Sequence, residues 1–222
     1  MANLRVDKIT STETFETTGS VQFDGDGDYL SSSTIISGTG FGINDFTVDF
    51  WIYPANANSG NYTGILNLKS STASDRFQVA YHSSNIQVYT DTGSWRDTGF
   101  APDISSWTHI SFVRNYSSNT LKMYANGVEK WSVLNNHDYD EVFDEVWVGR
   151  HSGQSTYLNG FISNIRIVNG TALYTSNFKP SMRELEVVPG TVLLACQSKT
   201  DATLEKTGKT LTANGNAVAN EL

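Results

Sequence analysis

The chain of 222 residues has a single cysteine, 4 prolines and no long apolar run. Cys196 alone allows no intrachain disulfide, so stability has to come from a packed core, as suits a reducing compartment. With nothing basic or His-rich beside it in sequence, Cys196 reads as a small buried hydrophobe rather than a reactive thiol. The longest uninterrupted apolar stretch, Val192 to Cys196, falls far short of the roughly 20 residues that span a bilayer. Met1 to Asp7 has no apolar core and does not read as a secretion signal. Positive charge is scarce too. Lys and Arg total 15 against 23 Asp and Glu, a formal net charge of −8, so a basic nucleic-acid groove is not expected.

What remains is a sequence built for strands. Aromatic residues reach 12%, and Ser, Thr, Asn and Gly fill the gaps between apolar alternations. Phe46, Val48, Phe50 and Ile52 alternate with Thr47, Asp49, Trp51 and Tyr53, one set for each face of a strand. Trp107–Arg114 alternates in the same way. Leu121–Ala125 runs into Asn126-Gly127 and out through Val128 to Ser132, the pattern of a hairpin whose type I′ turn needs positive φ at both central residues. Further strands are expected at 21–23, 65–69, 77–81, 86–89, 145–149, 161–168 and 192–196, and only Met182–Val187 suggests a helical turn. About ten short strands separated by turn signals describe an all-β sandwich or jelly roll of two antiparallel sheets. No linker or repeat divides residues 19–222, which are expected to form one domain. Residues 1–18 differ in character: polar, Thr-rich, with Leu4, Val6, Ile9 and Phe15 as sparse apolar points.

The segments Phe23-Asp24-Gly25-Asp26-Gly27-Asp28-Tyr29-Leu30, Phe46 to Pro54, Trp107-Thr108-His109-Ile110, Leu121 to Gly127 and Asn159 to Ile167, in that order, resemble the laminin-G-like branch of the concanavalin A-like lectin/glucanase superfamily. Thr171 to Phe178 followed by Val192 to Ser198 is similar to a narrower subgroup found in structural proteins of tailed bacterial viruses. The first resemblance implies a jelly-roll sandwich. The second implies a virion component, assembled in a bacterial host's cytoplasm and joined to other virion proteins as a homo-oligomer.

Glycosidases share the superfamily, and the retaining glucanases need carboxylates at alternate positions of one strand. Glu141, Asp144 and Glu145 lack that parity, so an acidic loop is expected and enzyme activity is not. There is no Gly-x-Ser-x-Gly elbow, His82, His109, His137 and His151 lack zinc spacing, and Gly38-Thr39-Gly40-Phe41-Gly42 reads as a turn. Asp24, Asp26 and Asp28 place oxygen ligands at alternate positions, as calcium sites do, although Tyr29 and Ile35 stand where an EF-hand requires Gly and Glu. A solvated turn is the competing reading. Trp95, Trp131, Tyr139 and Tyr157 lie in or beside polar loops and are the candidates for stacking on sugar rings, whereas Trp107 and Trp147 are expected in the core. The sequons at Asn61, Asn115 and Asn169 are no more frequent than so Ser/Thr- and Asn-rich a chain produces by chance.

The resulting expectation is a non-enzymatic structural component of a virion, a capsid decoration, cement or fibre-type accessory protein working by protein docking. The alternative is a carbohydrate-binding adhesin for host surface glycan. A short chain starting at Met1 favours a small accessory subunit. Asp49 and Arg166 are expected side by side on neighbouring strands, facing away from the core as an exposed pair. Residues 1–18 are expected to form an extended arm that docks Leu4, Val6, Ile9 and Phe15 onto a neighbouring subunit. A flexible tail, or a strand of the chain's own sandwich, is the alternative.

Overall fold

Apolar residues at every second position make Phe46–Pro54 (β3) a central strand: Phe46, Val48, Phe50 and Ile52 all lie in the core, and the intervening Thr47, Asp49 and Trp51 are buried on the other face. The computed structural model describes residues 19–221 except 34, 37–39, 58–59, 72–75 and 91–92. The larger sheet reads from one edge β10 (Val128–Leu134), β9 (Thr120–Ala125), β8 (Thr108–Asn115), β3, β12 (Asn159–Asn169), β1 (Ser20–Asp24) and β15 (Val218–Asn220). In that sheet β13 (Thr191–Ala195) continues the edge of β12 where β1 leaves it. The smaller sheet reads β14 (Thr212–Asn214), β2 (Tyr29–Ser32), β11 (Glu145–Val148), β4 (Thr63–Lys69), β5 (Arg76–His82), β6 (Asn85–Tyr89) and β7 (Trp95–Asp97). All pairings are antiparallel.

Between the sheets lies one core, drawn from the inner faces of both, with Phe41 stacked on Phe46 at 4.0 Å and Phe77 edge-on to Phe112. This is the jelly-roll sandwich the alternation implied. Asn126 (φ 48°) and Gly127 (φ 75°) form the expected turn between β9 and β10. Cys196 follows β13 directly and is buried, and burial pushes its thiol up to about 12.

Two expectations need correction. Met182–Val187 is not helical: among the described residues there is no helix, and this segment runs along β12, where Leu185 N–H donates to Asn164 Oδ1 at 2.9 Å. The Asp49–Arg166 pair is present, in register across β3 and β12, but it is buried rather than exposed. A strap formed by residues 170–186 covers the outer face of the larger sheet. Thr47 Oγ1 donates to Thr171 O and accepts from Leu173 N–H, and Tyr174 is stacked on Phe178 at 3.6 Å. Under it, Arg166 donates to both Asp49 oxygens at 3.1 and 2.8 Å, Tyr174 Oη donates to Asp49 Oδ2 at 3.0 Å, and His109 Nε2 stands 3.8 Å away. Burial pushes the Asp49 carboxyl up, but His109 and Arg166 outweigh it and leave it below the ordinary carboxylate range. Four strands, β2, β7, β14 and β15, were not foreseen. Residues 1–18, and with them the arm and Leu4, Val6, Ile9 and Phe15, lie outside the described residues.

Candidate functional site

The outer face of the smaller sheet is shaped by the loop between β11 and β12. Gly64 makes this possible, because a Cβ at that position would overlap the backbone of Arg150 and His151, which pass directly over it. The register sets Trp147, Asn67, Gln78, Tyr89 and Trp95 in one row across five strands of this face. Gln78 ties the sheet to the loop, donating to Asn67 Oδ1 at 2.5 Å and to Ser152 Oγ at 2.8 Å. His151 Nδ1 accepts the backbone N–H groups of Gly153 (3.0 Å) and Gln154 (3.2 Å), which fixes the ring proton on Nε2. Burial, aided by the charge of Arg76, depresses the His151 pKa to about 4, so the ring is neutral at physiological pH.

Two aromatic groups flank this loop. Tyr62 stacks on His82 at 4.1 Å and on Trp95 at 4.7 Å, with His151 5.5 Å from Trp95. On the other side the Arg150 guanidinium lies 4.4 Å from the Trp147 ring and 4.8 Å from that of Tyr29, with Tyr157 at 6.0 Å.

At the end of the sandwich between these groups opens a cleft of about 400 Å³. The β1–β2 turn contributes Asp24 and Asp26, the segment from β3 to β4 contributes Asn56, Asn61 and Thr63, and the β11–β12 loop contributes Ser155, Tyr157 and Asn159. Amides, carboxylates and hydroxyls beside Tyr157 and the buried Tyr81 offer paired donors and acceptors, the equipment for holding a hydroxyl-rich ligand in a cleft of ligand size.

Of the aromatic candidates, Tyr157 borders this cleft and Trp95 belongs to the group beside it. Trp131 lies elsewhere, half-buried on the edge strand β10 of the other sheet. Tyr139 is fully buried and is no surface platform. A backbone bridge to Gly42 draws it inward, where its ring packs edge-on against Phe41, Phe46 and Phe143 and its hydroxyl donates to Thr90 O. Trp147, expected in the core, instead faces outward from β11 and stacks on Arg150.

The three aspartates do not converge. Asp28 is buried and spends its carboxylate on the N–H groups of Asp24 (3.0 Å) and Asn216 (2.6 Å), closing the turn. Asp24 Oδ1 accepts from Asp26 N–H at 2.8 Å, which holds its carboxyl below the usual range. Among the described residues no three His, Cys, Asp or Glu side chains are grouped to hold a metal ion, so the set does not fit calcium as drawn from the sequence. The acidic segment is dispersed as well: Asp144 accepts from Ser71 at 2.7 and 2.6 Å, Glu145 pairs with Lys69 at 2.6 Å, and Glu141 lies outside any strand. Asn56, Asn61, Asn159, Tyr62 and Arg150 escaped the sequence reading. Each stands in a polar stretch with no periodicity of its own, and only the crossing of the loop over Gly64 gathers them.

A family profile described as the concanavalin A-like lectin/glucanases superfamily matches residues 24–174. Among curated protein sequences none matches significantly. Solved structures with the same fold include a Bacteroides ovatus protein described as carbohydrate-binding, with TM-score 0.69, 16% identity, and coverage of 93% of this chain and 60% of that one. The present chain therefore spans about three fifths of that protein's length. A heptameric pentraxin resembling serum amyloid P, from Limulus polyphemus, gives TM-score 0.62 at 13% identity over 94% of this chain and 96% of its own. Mouse laminin α1 domains LG4-5 give 0.51 at 11% identity over 74% and 45%. Sheet order, core and profile agree, and the chain belongs to the concanavalin A-like lectin/glucanase superfamily.

Proposed function

We propose that this chain is a non-catalytic carbohydrate-binding module, with the cleft between Asp24, Asn61, Tyr157 and Asn159 as its saccharide site. The carrying observation is the cleft itself: a ligand-sized opening rimmed by amide and carboxylate groups with one accessible tyrosine ring. A description as carbohydrate-binding attaches to the Bacteroides relative, and this reading extends it here. The dispersal of Glu141, Asp144 and Glu145 supports binding without hydrolysis, since a glycosidase needs two carboxyl groups facing one bond.

The virion reading rests on the tail resemblance alone, so saccharide recognition takes precedence over particle docking. Both accommodate a homo-oligomer, and the heptameric pentraxin relative makes a ring of copies the arrangement to look for by native mass spectrometry.

The test is a glycan array followed by calorimetry on the hits. Tyr157→Ala and Asn159→Ala are expected to weaken binding at least about tenfold, roughly the loss of one stacking or hydrogen-bonding partner, with unchanged melting temperature. Trp131→Ala, on the far sheet, is expected to bind normally. Equal affinity of all four proteins, or no saccharide bound at millimolar concentration, would remove the proposal.

A further inference from the structure

Arg150 is held in an unusual way for a half-buried cation. The other well-buried arginines are satisfied by oxygen: Arg166 by the two carboxylate oxygens of Asp49, and Arg114 by the carbonyls of Gly42, Asn44 and His137. Arg150 has aromatic faces instead. Its guanidinium lies against the rings of Trp147 and Tyr29, and among the described residues no carboxylate pairs with it and its buried Nε–H has no hydrogen-bond partner. The two rings are inclined at 73° with their centroids 6.2 Å apart, so they meet the guanidinium from adjacent sides and leave its outer N–H groups, the part that matches a planar anion in a two-point contact. A guanidinium held by rings rather than by a carboxylate keeps its charge uncompensated, and an anionic ligand supplies the missing partner.

Position identifies that ligand. Tyr157, which walls the cleft, is also the third ring beside Arg150, and its ring lies 6.2 Å from Tyr29. Arg150 is outside the wall of the cleft itself but 6.0 Å from this ring, within reach of a charged substituent of a saccharide bound there. Trp147 and Arg150 keep their geometry through the backbone: Trp147 is paired on both sides, to Ser31 of β2 and Asn67 of β4, and Arg150 is bridged to Tyr157.

We propose that the saccharide recognised by this module is acidic, and that Arg150, set against the rings of Trp147 and Tyr29, receives its carboxylate. The inference rests on the saccharide reading of the cleft and narrows it to uronate-type or sialic-acid-type sugars. A carboxylate fits the planar N–H edge in two parallel bonds, while a sulfate presents a tetrahedron to it.

The probe is an array carrying uronate-containing, sialylated, sulfated and neutral glycans, with every acidic hit retested as its methyl ester. Carboxylated glycans are expected to bind, their esters to bind at least about tenfold more weakly, and Arg150→Gln to abolish the difference between acid and ester. Arg150→Lys, which keeps the charge and loses the stacked fork, is expected to recover little of it. In a titration with glucuronate, the Nε–H resonance of Arg150 in the unsubstituted protein is expected to shift, and with glucose to stay in place; this readout needs no variant to fold. Binding of neutral or sulfated glycans alone, or acid and ester bound alike, would overturn the acidic-ligand inference while leaving the saccharide module standing. No glycan bound at all would remove both.

Discussion

His151 shows how much a single side chain here depends on a crossing that no local pattern announces. Its sequence neighbours, Arg150 and Ser152, give no sign that the ring is to be enclosed by Tyr62 and Trp95 and to accept two backbone N–H groups. The consequence is a pH dependence with a definite sign. The folded pKa is depressed to about 4, whereas the unfolded chain has an ordinary histidine near 6.5. Above 6.5 neither state binds the proton and His151 costs nothing. Between 6.5 and 4 the unfolded chain alone binds it, so stability is expected to be lost as the pH drops from 6.5 to 4. His151→Gln should reduce the slope of melting temperature against pH there, and an unchanged slope would refute the assignment. Asp28 is the opposite case, legible as a ligand and wrong as one. It was grouped with Asp24 and Asp26 because alternate carboxylates suggest calcium, yet its oxygens close a turn against Asn216, 188 positions away. Asp28→Ala is expected to cost about 1–3 kcal/mol by orphaning two backbone donors. EDTA is expected to leave the melting temperature of the unsubstituted protein where it was, and a downward shift would restore the calcium reading.

At the scale of elements, the strands visible in the sequence are those whose alternation is paired with a hydrophobic core. β3, β8, β9 and β12 carry three or more apolar residues each and could be placed to within a residue or two. Three of the four strands that escaped are only three residues long, too short to show alternation: Trp95-Arg96-Asp97, Thr212-Ala213-Asn214 and Val218-Ala219-Asn220. They form because an existing edge offers them backbone partners, which leaves no mark on composition. Two of them matter for the whole sandwich. β14 covers the edge of β2 and β15 covers the edge of β1, so the last dozen residues close one side of both sheets. Removing residues 209–222 is therefore expected to expose two strand edges and produce aggregation or a lower melting temperature, measured by light scattering during a thermal ramp. A truncated chain that stays monomeric and melts normally would show that these pairings contribute nothing. The strap makes a similar point. Phe178 packs between Tyr174, His109 and Tyr124 on a face the sequence reading left open to water. Phe178→Ala should cost about 1–2 kcal/mol, the share of a half-buried aromatic, and a melting curve that does not move would mean that the strap is not needed to cover the buried Asp49–Arg166 pair.

At the scale of the molecule, charge and ligand appear opposed, and the opposition makes a final prediction. The chain carries a formal net charge of −8, and Asp24 and Asp26 are among the residues that line the cleft. An acidic saccharide is therefore repelled at long range and held only at contact, by Arg150. The two terms respond differently to salt. Screening acts over a Debye length of about 10 Å at 0.1 M, which removes most of the distant repulsion but little of an attraction between touching groups in a half-buried setting. Affinity for a carboxylated glycan is then expected to hold steady or rise, by about twofold, between 20 and 150 mM salt. This is the reverse of a site built as a basic patch, where counterion release makes affinity fall steeply as salt is added. Calorimetry at the two ionic strengths reads the sign directly. A fall in affinity would mean that long-range attraction from several cations, rather than the single Arg150 guanidinium, does the recognising. In Arg150→Gln the salt response of whatever binding survives is expected to steepen upward, because repulsion then acts with no contact attraction to offset it.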